Sequence, residues 1–168
     1  MRPVVSREKT SFGRWTRRQW LVGSAVLVAP FSAARLTRSA MAAGDAEPIL
    51  QPAAATSEAF MERAFDMKRR AAESGDQAYG AVVVKEGRIV GEAPSRVVVH
   101  GDPTAHAETE AIRDAARRLG ARDLSDCVMY SSSRPCPMCE AAAYWARIAR
   151  LQYGAGIADG GKPRLRAC

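Results

Sequence analysis

Two short segments of this 168-residue sequence carry side chains that could bind a metal ion. The first is His106-Ala107-Glu108, and the second is Pro135-Cys136-Pro137-Met138-Cys139. Zinc takes imidazole and thiolate ligands in a tetrahedron, and a catalytic zinc site keeps one of the four positions for water. One histidine and two cysteines supply three ligands, so the residue types favour a catalytic zinc site with an open position.

Helix starts are predicted to position these residues. A helix is expected from Asp102-Pro103 through Leu119, because Asp is a preferred N-cap and Pro is favoured at the first helical position. A further helix is predicted over 136–148. Cysteines three residues apart at a helix start share one face, and the helix N-terminus favours their thiolate forms. Glu108 then lies close to the metal, two residues beyond His106, where a general acid/base would act on water.

The remaining pattern predicts an α/β layered domain. A helix is expected from Thr56 or Ser57 to Ser74, with apolar residues at helical spacing. Runs 79–84 and 89–91 predict an antiparallel hairpin. Strands predicted at 128–131 and 151–153 flank the helix at 136–148, and so short a strand–helix–strand unit implies a parallel crossover. For residues 97–99 the sequence leaves two alternatives, a strand extension or a loop.

The two cysteines have two interpretations other than a catalytic zinc site. A lone C-x-x-C pair is also typical of redox sites and of structural zinc knuckles. The redox alternative leaves Glu108 and the segment Asp102-Pro103-Thr104-Ala105 unexplained. The occurrence of both motifs in this order, 30 residues apart and at two helix starts, disfavours a structural zinc knuckle. Cys127 and Cys168 remain, and Cys127 is expected to be a buried, inert thiol, with a disulfide between the two as the alternative in an oxidising compartment.

The segment from Asp102 to Glu108 resembles the zinc-binding block of the cytidine/deoxycytidylate deaminase superfamily, and so does Pro135–Cys139 followed by Tyr144-Trp145-Ala146-Arg147-Ile148. The Tyr-Trp-Ala-Arg run most resembles bacterial guanine deaminases, and the stretch 147–155 is similar to tRNA adenosine deaminases. The resemblance covers about residues 57–155. It implies a cytidine-deaminase-like, three-layer α/β/α fold whose mixed sheet has helices on both faces.

The same resemblance implies roles for four residues. His106, Cys136 and Cys139 would bind Zn²⁺, and Glu108 would be the catalytic proton shuttle. Zinc lowers the pKa of bound water to about 7. The resulting hydroxide would attack the amine-bearing ring carbon of a nucleobase or nucleoside, with a guanine-like purine favoured, so that the protein would be a hydrolytic deaminase.

Three departures from the family pattern concern the substrate. Ser95 stands where relatives often carry an Asn that touches the substrate, and we expect Ser95 to lie at the substrate site. Arg134 stands where Glu is common, and it would either contact an acidic group of the substrate or pair with a nearby carboxylate. Only residues 156–168 follow Ala155, where relatives usually add a strand and a helix. This leaves a site that is open, completed by a partner subunit, or inactive.

The net charge of +7 is concentrated in the first 42 residues. Those residues hold eight basic side chains and one acidic side chain, whereas residues 43–168 hold seventeen of each. A neutral domain argues against a nucleic-acid partner and favours a small-molecule substrate. A tRNA-specific adenosine deaminase is one alternative, and an inactive zinc-binding relative that serves as an interaction module is another. By resemblance, a homo-oligomer is expected.

Residues 1–42 are predicted to be a twin-arginine export signal. Arg17-Arg18 precedes Trp20-Leu21, an apolar run follows over 21–34, and Ala40-Met41-Ala42 is typical of a cleavage site. The run is shorter than the roughly 20 residues of a stable membrane span. This predicts a periplasmic protein with a linker at 43–55 and a deaminase domain at 56–168. If the signal is not used, the protein is cytoplasmic and the segment is a disordered basic tail.

Overall fold

A computed structural model describes residues 47–165. The predicted export signal and Cys168 lie outside the described residues. No helix within 47–165 has the length and apolar character needed to cross a membrane. The elements in chain order are α1 (Ser57–Glu73), β1 (Gly80–Lys85), β2 (Arg88–Pro94), α2 (Val97–His100), α3 (Ala107–Leu119), β3 (Cys127–Ser131), α4 (Pro137–Trp145), β4 (Arg150–Tyr153) and β5 (Ala158–Gly161).

The strands form one mixed sheet in the order β2-β1-β3-β4-β5. Strand β1 is antiparallel to both β2 and β3, while β3 and β4 are parallel and β4 and β5 are antiparallel. Helix α4 is the crossover between the two parallel strands. The predicted hairpin and the predicted parallel crossover are therefore both confirmed.

Alternation along β1 separates two apolar faces of the sheet. Val82 and Val84 pack in one cluster with side chains of α1, and Ala81 and Val83 pack in another with side chains of α3 and α4. Successive side chains of a strand point to opposite faces, so one strand serves both clusters. The structure thus has three layers with helices on both faces, as the resemblance implied.

Two glycines let helices approach the sheet backbone directly. A Cβ atom on Gly80 would lie 2.3 Å from the Ala64 carbonyl oxygen of α1, and one on Gly91 would lie 2.6 Å from the Ala111 carbonyl oxygen of α3. Both distances are below the 3.0 Å that real Cβ contacts keep. Because α3 carries Glu108, the missing side chain of Gly91 sets how deeply the catalytic candidate lies against the sheet.

The predicted start of α3 was wrong by four residues. The helix begins at Ala107 with His106 as its N-cap, whereas Asp102-Pro103 forms a turn. The Asp102 carboxylate accepts hydrogen bonds from the backbone N–H and the hydroxyl of Thr104, both at 2.7 Å. Because the Asp102 carboxylate already accepts these hydrogen bonds within the turn, it does not cap a helix.

Three other elements differ from the sequence-based expectation. Residues 97–99, expected as a strand extension or a loop, lie in the short helix α2, whose Val98 and Val99 N–H groups donate to the Asp76 carboxylate at 2.8 and 2.9 Å. Helix α4 ends at Trp145, three residues before the predicted end. Strand β5 was not predicted; it pairs with β4, and Arg150 reaches Asp159 at 3.1 Å across the pair.

Part of the predicted linker at 43–55 is held against the domain. The Gln51 side chain donates to the Ile89 carbonyl oxygen and accepts from the Ile89 N–H, both at 2.8 Å. Arg118 of α3 also donates to the carbonyl oxygen of Glu47 at 2.8 Å. Since β2 is an edge strand, the two Gln51 contacts satisfy backbone groups that would otherwise be open to another chain.

Candidate metal centre

His106 and Cys136 occupy equivalent positions, the N-caps of α3 and α4. Both residues have extended backbone, with φ and ψ of −64° and 150° for His106 and −72° and 168° for Cys136. Neither side chain makes a capping hydrogen bond to the backbone of its helix. Instead both side chains lie beside Cys139, which is one turn further along α4. Two helix N-termini therefore bring together the three residues that the sequence predicts as ligands.

The three candidate ligand atoms form a nearly equilateral triangle. The His106 Nδ1 atom lies 3.7 Å from Cys136 Sγ and 3.6 Å from Cys139 Sγ, and the two sulfurs are 3.6 Å apart. Zinc bonds of about 2.3 Å to sulfur and about 2.0 Å to nitrogen place tetrahedral ligands about 3.5–3.8 Å apart. The donor set and its spacing thus fit three corners of a zinc tetrahedron and leave the fourth corner for water or substrate.

Cys139 is the fully buried member of the cluster. Its burial, reinforced by the negative charge of Glu108, raises the pKa of the Cys139 thiol well above its ordinary value. Zinc binds the thiolate, so metal binding must remove this proton. The Thr109 hydroxyl lies 3.7 Å from Cys139 Sγ, and a hydrogen bond from it favours the thiolate.

Glu108 lies in the first turn of α3 and is 4% exposed. Its Oε1 atom accepts a hydrogen bond from the Ser131 hydroxyl at 2.9 Å, and its Oε2 atom lies 3.4 Å from Cys139 Sγ. The carboxylate is therefore next to the three-ligand cluster without being one of its members. A buried carboxylate in this position can take up and release a proton beside the metal.

Ser95, predicted as a substrate contact, is buried and has a partner of its own. Its hydroxyl donates to Asp76 Oδ1 at 2.8 Å. Burial alone would raise the pKa of Asp76, but hydrogen bonds from Val99, Ser95, Gln77 and Val98 outweigh burial and lower it. Ser95 thus helps to hold an ionised carboxylate at the start of α2, and its contact with a substrate stays a prediction.

Arg134, the second predicted substrate contact, is exposed and directly precedes Pro135-Cys136. Nine ion pairs join described residues, and Arg134 belongs to none of them. The alternative in which Arg134 pairs with a nearby carboxylate therefore finds no partner within residues 47–165. A contact between Arg134 and an acidic substrate group stays a prediction.

Sequence reasoning missed two residues that touch the site, Ser131 and Thr109. Ser131 is a polar residue on the strand face that Cys127 and Met129 fill with apolar side chains. A hydroxyl on the buried face, five residues before Cys136, is a signal that could have been found. Thr109 follows Glu108 directly in a helix, and its neighbour Cys139 is distant in sequence, so no local pattern marks it.

The sequence is similar to known deaminases over most of the residues that the structure describes. A family model described as the cytidine and deoxycytidylate deaminase zinc-binding region matches residues 54–155. The guanine deaminase of Bacillus subtilis is 45% identical over 103 residues, which are 61% of this chain and 66% of that protein. The tRNA-specific adenosine deaminase of Aquifex aeolicus is 41% identical over 98 residues, 58% of this chain and 65% of that protein.

A solved structure supports the same assignment. The X-ray structure of guanine deaminase from Bacillus subtilis matches with a TM-score of 0.58 and 44% identity, over 60% of this chain and 64% of that chain. The chain thus spans about two thirds of the length of the curated relatives it matches. The family match covers more than half of the chain and includes His106, Cys136 and Cys139. This protein therefore belongs to the cytidine and deoxycytidylate deaminase family and carries the zinc-binding region of that family.

Proposed function

We propose that this protein is a zinc-dependent hydrolase that removes an exocyclic amine from a nucleobase or nucleoside, with a guanine-like purine as the favoured substrate. The observation that carries this proposal is the buried Glu108 carboxylate beside the His106, Cys136 and Cys139 triangle. Similarity to a guanine deaminase over most of the described domain supports the choice of a purine.

The chain supplies proton transfer through Glu108. When bound by the three ligands, zinc acts as a Lewis acid that makes water nucleophilic at neutral pH. The Oε1 atom of Glu108 accepts from Ser131, and Oε2 accepts from the protonated Cys139 thiol. Loss of that thiol proton on zinc binding would leave Oε2 as the oxygen that takes a proton from the attacking water. Glu108 would then pass this proton to a ring nitrogen, and it would carry the remaining proton of the added hydroxyl to the departing amine. The water oxygen becomes the ring carbonyl, the carbon–nitrogen bond breaks, and ammonia leaves.

The charge distribution supports a small substrate. Residues 43–168 carry equal numbers of acidic and basic side chains, and binding of tRNA relies on an excess of basic groups along the phosphate backbone. Similarity to a tRNA-specific adenosine deaminase keeps tRNA as the alternative substrate. A zinc-binding relative without activity, serving as an interaction module, is the alternative from outside the enzymes.

Ammonia release by the zinc-loaded full chain tests the proposal. The panel contains guanine, adenine, cytosine, their nucleosides, simple aminoheterocycles and a tRNA. We expect release from a purine, and we expect Glu108→Gln to lower kcat by about 10²–10⁴-fold while the protein keeps its zinc. Glu110→Gln is the matched control, because it makes the same change two residues along α3 at a side chain that pairs with Arg113; it should leave kcat unchanged.

Each other outcome would favour a specific alternative. Release from tRNA alone would replace the small substrate with the tRNA alternative. Release that survives Glu108→Gln would remove the proton-shuttle role of Glu108. A zinc-loaded protein that releases ammonia from none of these compounds would favour the interaction module.

We also propose that residues 1–42 direct export to the periplasm through the twin-arginine pathway. The support is the Arg17-Arg18 pair before Trp20-Leu21 and the apolar run that follows. In a bacterium that has this pathway, the full chain should appear in the periplasmic fraction in a shortened form. Replacing both arginines by lysine should keep it in the cytoplasm at full length, and unchanged fractionation of that variant would contradict the proposal.

A further inference from the structure

Ser131 places a hydroxyl where the fold calls for an apolar side chain. Along β3, Cys127 and Met129 point into the cluster shared with α3 and α4, and both are fully buried. Ser131 continues the same alternation and is 1% exposed. A buried hydroxyl without a partner destabilises the fold, so a packing role alone favours an apolar residue here.

The partner of this hydroxyl is the proposed catalytic carboxylate. Ser131 Oγ donates to Glu108 Oε1 at 2.9 Å, and both side chains are buried. The other oxygen, Oε2, accepts from the Cys139 thiol at 3.4 Å, a donor that is lost when zinc binds the thiolate. The hydrogen bond therefore makes the two carboxylate oxygens inequivalent, with one turned to the sheet and the other turned to the metal ligands.

The strand that carries Ser131 is a firm support for this contact. Strand β3 is an interior strand, and Ser131 itself is paired with Ala81 of β1 on one side and with Tyr153 of β4 on the other. Glu108 belongs to a separate element, α3, so the hydrogen bond ties the helix side chain to the middle of the sheet. Such a contact limits rotation of the carboxylate in the way that outer hydrogen bonds orient groups around metal sites.

We propose that Ser131 is a positioning residue for Glu108. Its hydroxyl proton occupies Oε1, and the proton taken from water is thereby directed to Oε2, the oxygen beside the metal ligands. This inference rests on the proposed function for its effect on turnover. The hydrogen bond itself can be tested whether or not the protein is active.

Three variants of the full-length, zinc-loaded protein test the inference. Ser131→Ala removes the hydroxyl and should lower kcat by about 10–100-fold, with KM and zinc content unchanged. Ser131→Thr and Ser131→Val are a matched pair, because both add bulk at the same buried position and only Thr keeps the hydroxyl. We expect Thr to restore most of the turnover lost in Ser131→Ala and Val to remain as slow as Ala.

An infrared measurement provides a readout that does not depend on activity. The carboxylate stretching band of Glu108, identified by its loss in Glu108→Gln, should shift in Ser131→Ala and Ser131→Val and stay in place in Ser131→Thr. An unmoved band in all three variants, or equal turnover of the Thr and Val proteins, would overturn the inference. A wild-type protein that releases no ammonia would contradict the proposed function. The shift of the infrared band would still test whether Ser131 holds the Glu108 carboxylate.

Discussion

The start of α1 and the starts of α3 and α4 share a backbone conformation and use it differently. Thr56, the N-cap of α1, is extended at φ −115° and ψ 157°, and its side chain accepts a hydrogen bond from the Ala59 N–H at 3.2 Å. His106 and Cys136 are also extended, but their side chains do not cap their helices and instead face Cys139. The same cap position thus serves the helix in α1 and the metal site in α3 and α4.

The start of α2 shows a third arrangement. Its N-cap residue, Arg96, makes no capping hydrogen bond through its side chain, and the Asp76 carboxylate accepts from the N–H groups of Val98 and Val99 instead. A residue from elsewhere in the chain can therefore replace a local cap. No such replacement is seen among the described residues for His106 or Cys136, where incoming zinc and substrate need access.

Other features of the sequence stabilise the N-termini of α3 and α4, which have no side-chain cap. Pro137 is at the beginning of α4 and has no N–H that needs a partner. The first turn of α3 contains Glu108 and Glu110, whose negative charges interact favourably with the helix N-terminus. A metal site at helix starts therefore lacks the stabilisation of a side-chain cap, and residues of the first turn restore part of that stabilisation.

Replacing one zinc ligand by a better capping residue should remove the metal site and stabilise the start of the helix. Cys136→Ser puts a favoured capping hydroxyl in place of a thiol of similar shape. We expect the zinc content to fall from one ion per chain to none and ammonia release to disappear, since His106 and Cys139 alone are a poor zinc site. In the metal-free state, the free energy of unfolding should rise by about 0.5–1 kcal/mol. Metal analysis and urea unfolding measure the two effects.

Cys127→Ser is the matched control for this exchange. Cys127 is fully buried in β3, and burial, with a smaller contribution from the charge of Asp126, raises the pKa of its thiol to about 11. The control should keep its zinc and lose stability, because a hydroxyl is poorly placed in an apolar core. Zinc loss in Cys127→Ser, or retention in Cys136→Ser, would contradict the assignment of the ligands.

The metal site was the part of the molecule most open to prediction from sequence. Zinc chemistry restricts its ligands to a few residue types, and the C-x-x-C spacing at a helix start brings two of them together within one turn. The hairpin and the parallel crossover were also predictable, because short β-branched runs and their connections are local features. Local chemistry was enough for the C-x-x-C pair, the hairpin and the crossover. His106 lies 30 residues before Cys136, and it was joined to the pair by the restricted choice of zinc ligands and by the resemblance to a known family.

The features that were missed depend on partners distant in sequence or on competing local contacts. Asp102 looks like a helix cap, but Thr104 takes its carboxylate, and the helix begins at Ala107 instead. Helix α2 depends on Asp76, more than twenty residues earlier in the chain. Ser131 meets Glu108 only after β3 and α3 have packed together. No short window of sequence contains both partners of the contacts made by Asp76 and Ser131.

Removing the remote cap of α2 should have a smaller effect than removing a ligand. Asp76→Asn replaces an ionised carboxylate that accepts four hydrogen bonds, and we expect a loss of about 1.5–3 kcal/mol in the free energy of unfolding at pH 7. The folded pKa of Asp76 lies below its ordinary value, so its ionisation stabilises the fold above about pH 4 and ceases to do so as pH falls through the folded pKa.

The stability difference between wild type and Asp76→Asn should therefore shrink below about pH 4. Urea unfolding of the metal-free proteins at several pH values measures it, because metal-free protein avoids the separate loss of zinc in acid. A difference that stays constant from neutral to acidic pH would show that the charge of Asp76 has no part in holding α2.

The smallest effect is expected at the start of α1, where the cap serves the helix alone. Thr56→Ala removes the side-chain oxygen that accepts from the Ala59 N–H, and we expect a loss of about 1 kcal/mol in the free energy of unfolding. Thr56→Ser keeps the capping oxygen and should stay within a few tenths of a kcal/mol of wild type. Zinc content and the KM for the substrate should not change in either variant, since α1 packs on the face of the sheet opposite α3 and α4. A change in zinc content on Thr56→Ala would mean that helix capping and metal binding are coupled across the sheet, and the separation of the two kinds of helix start would fail.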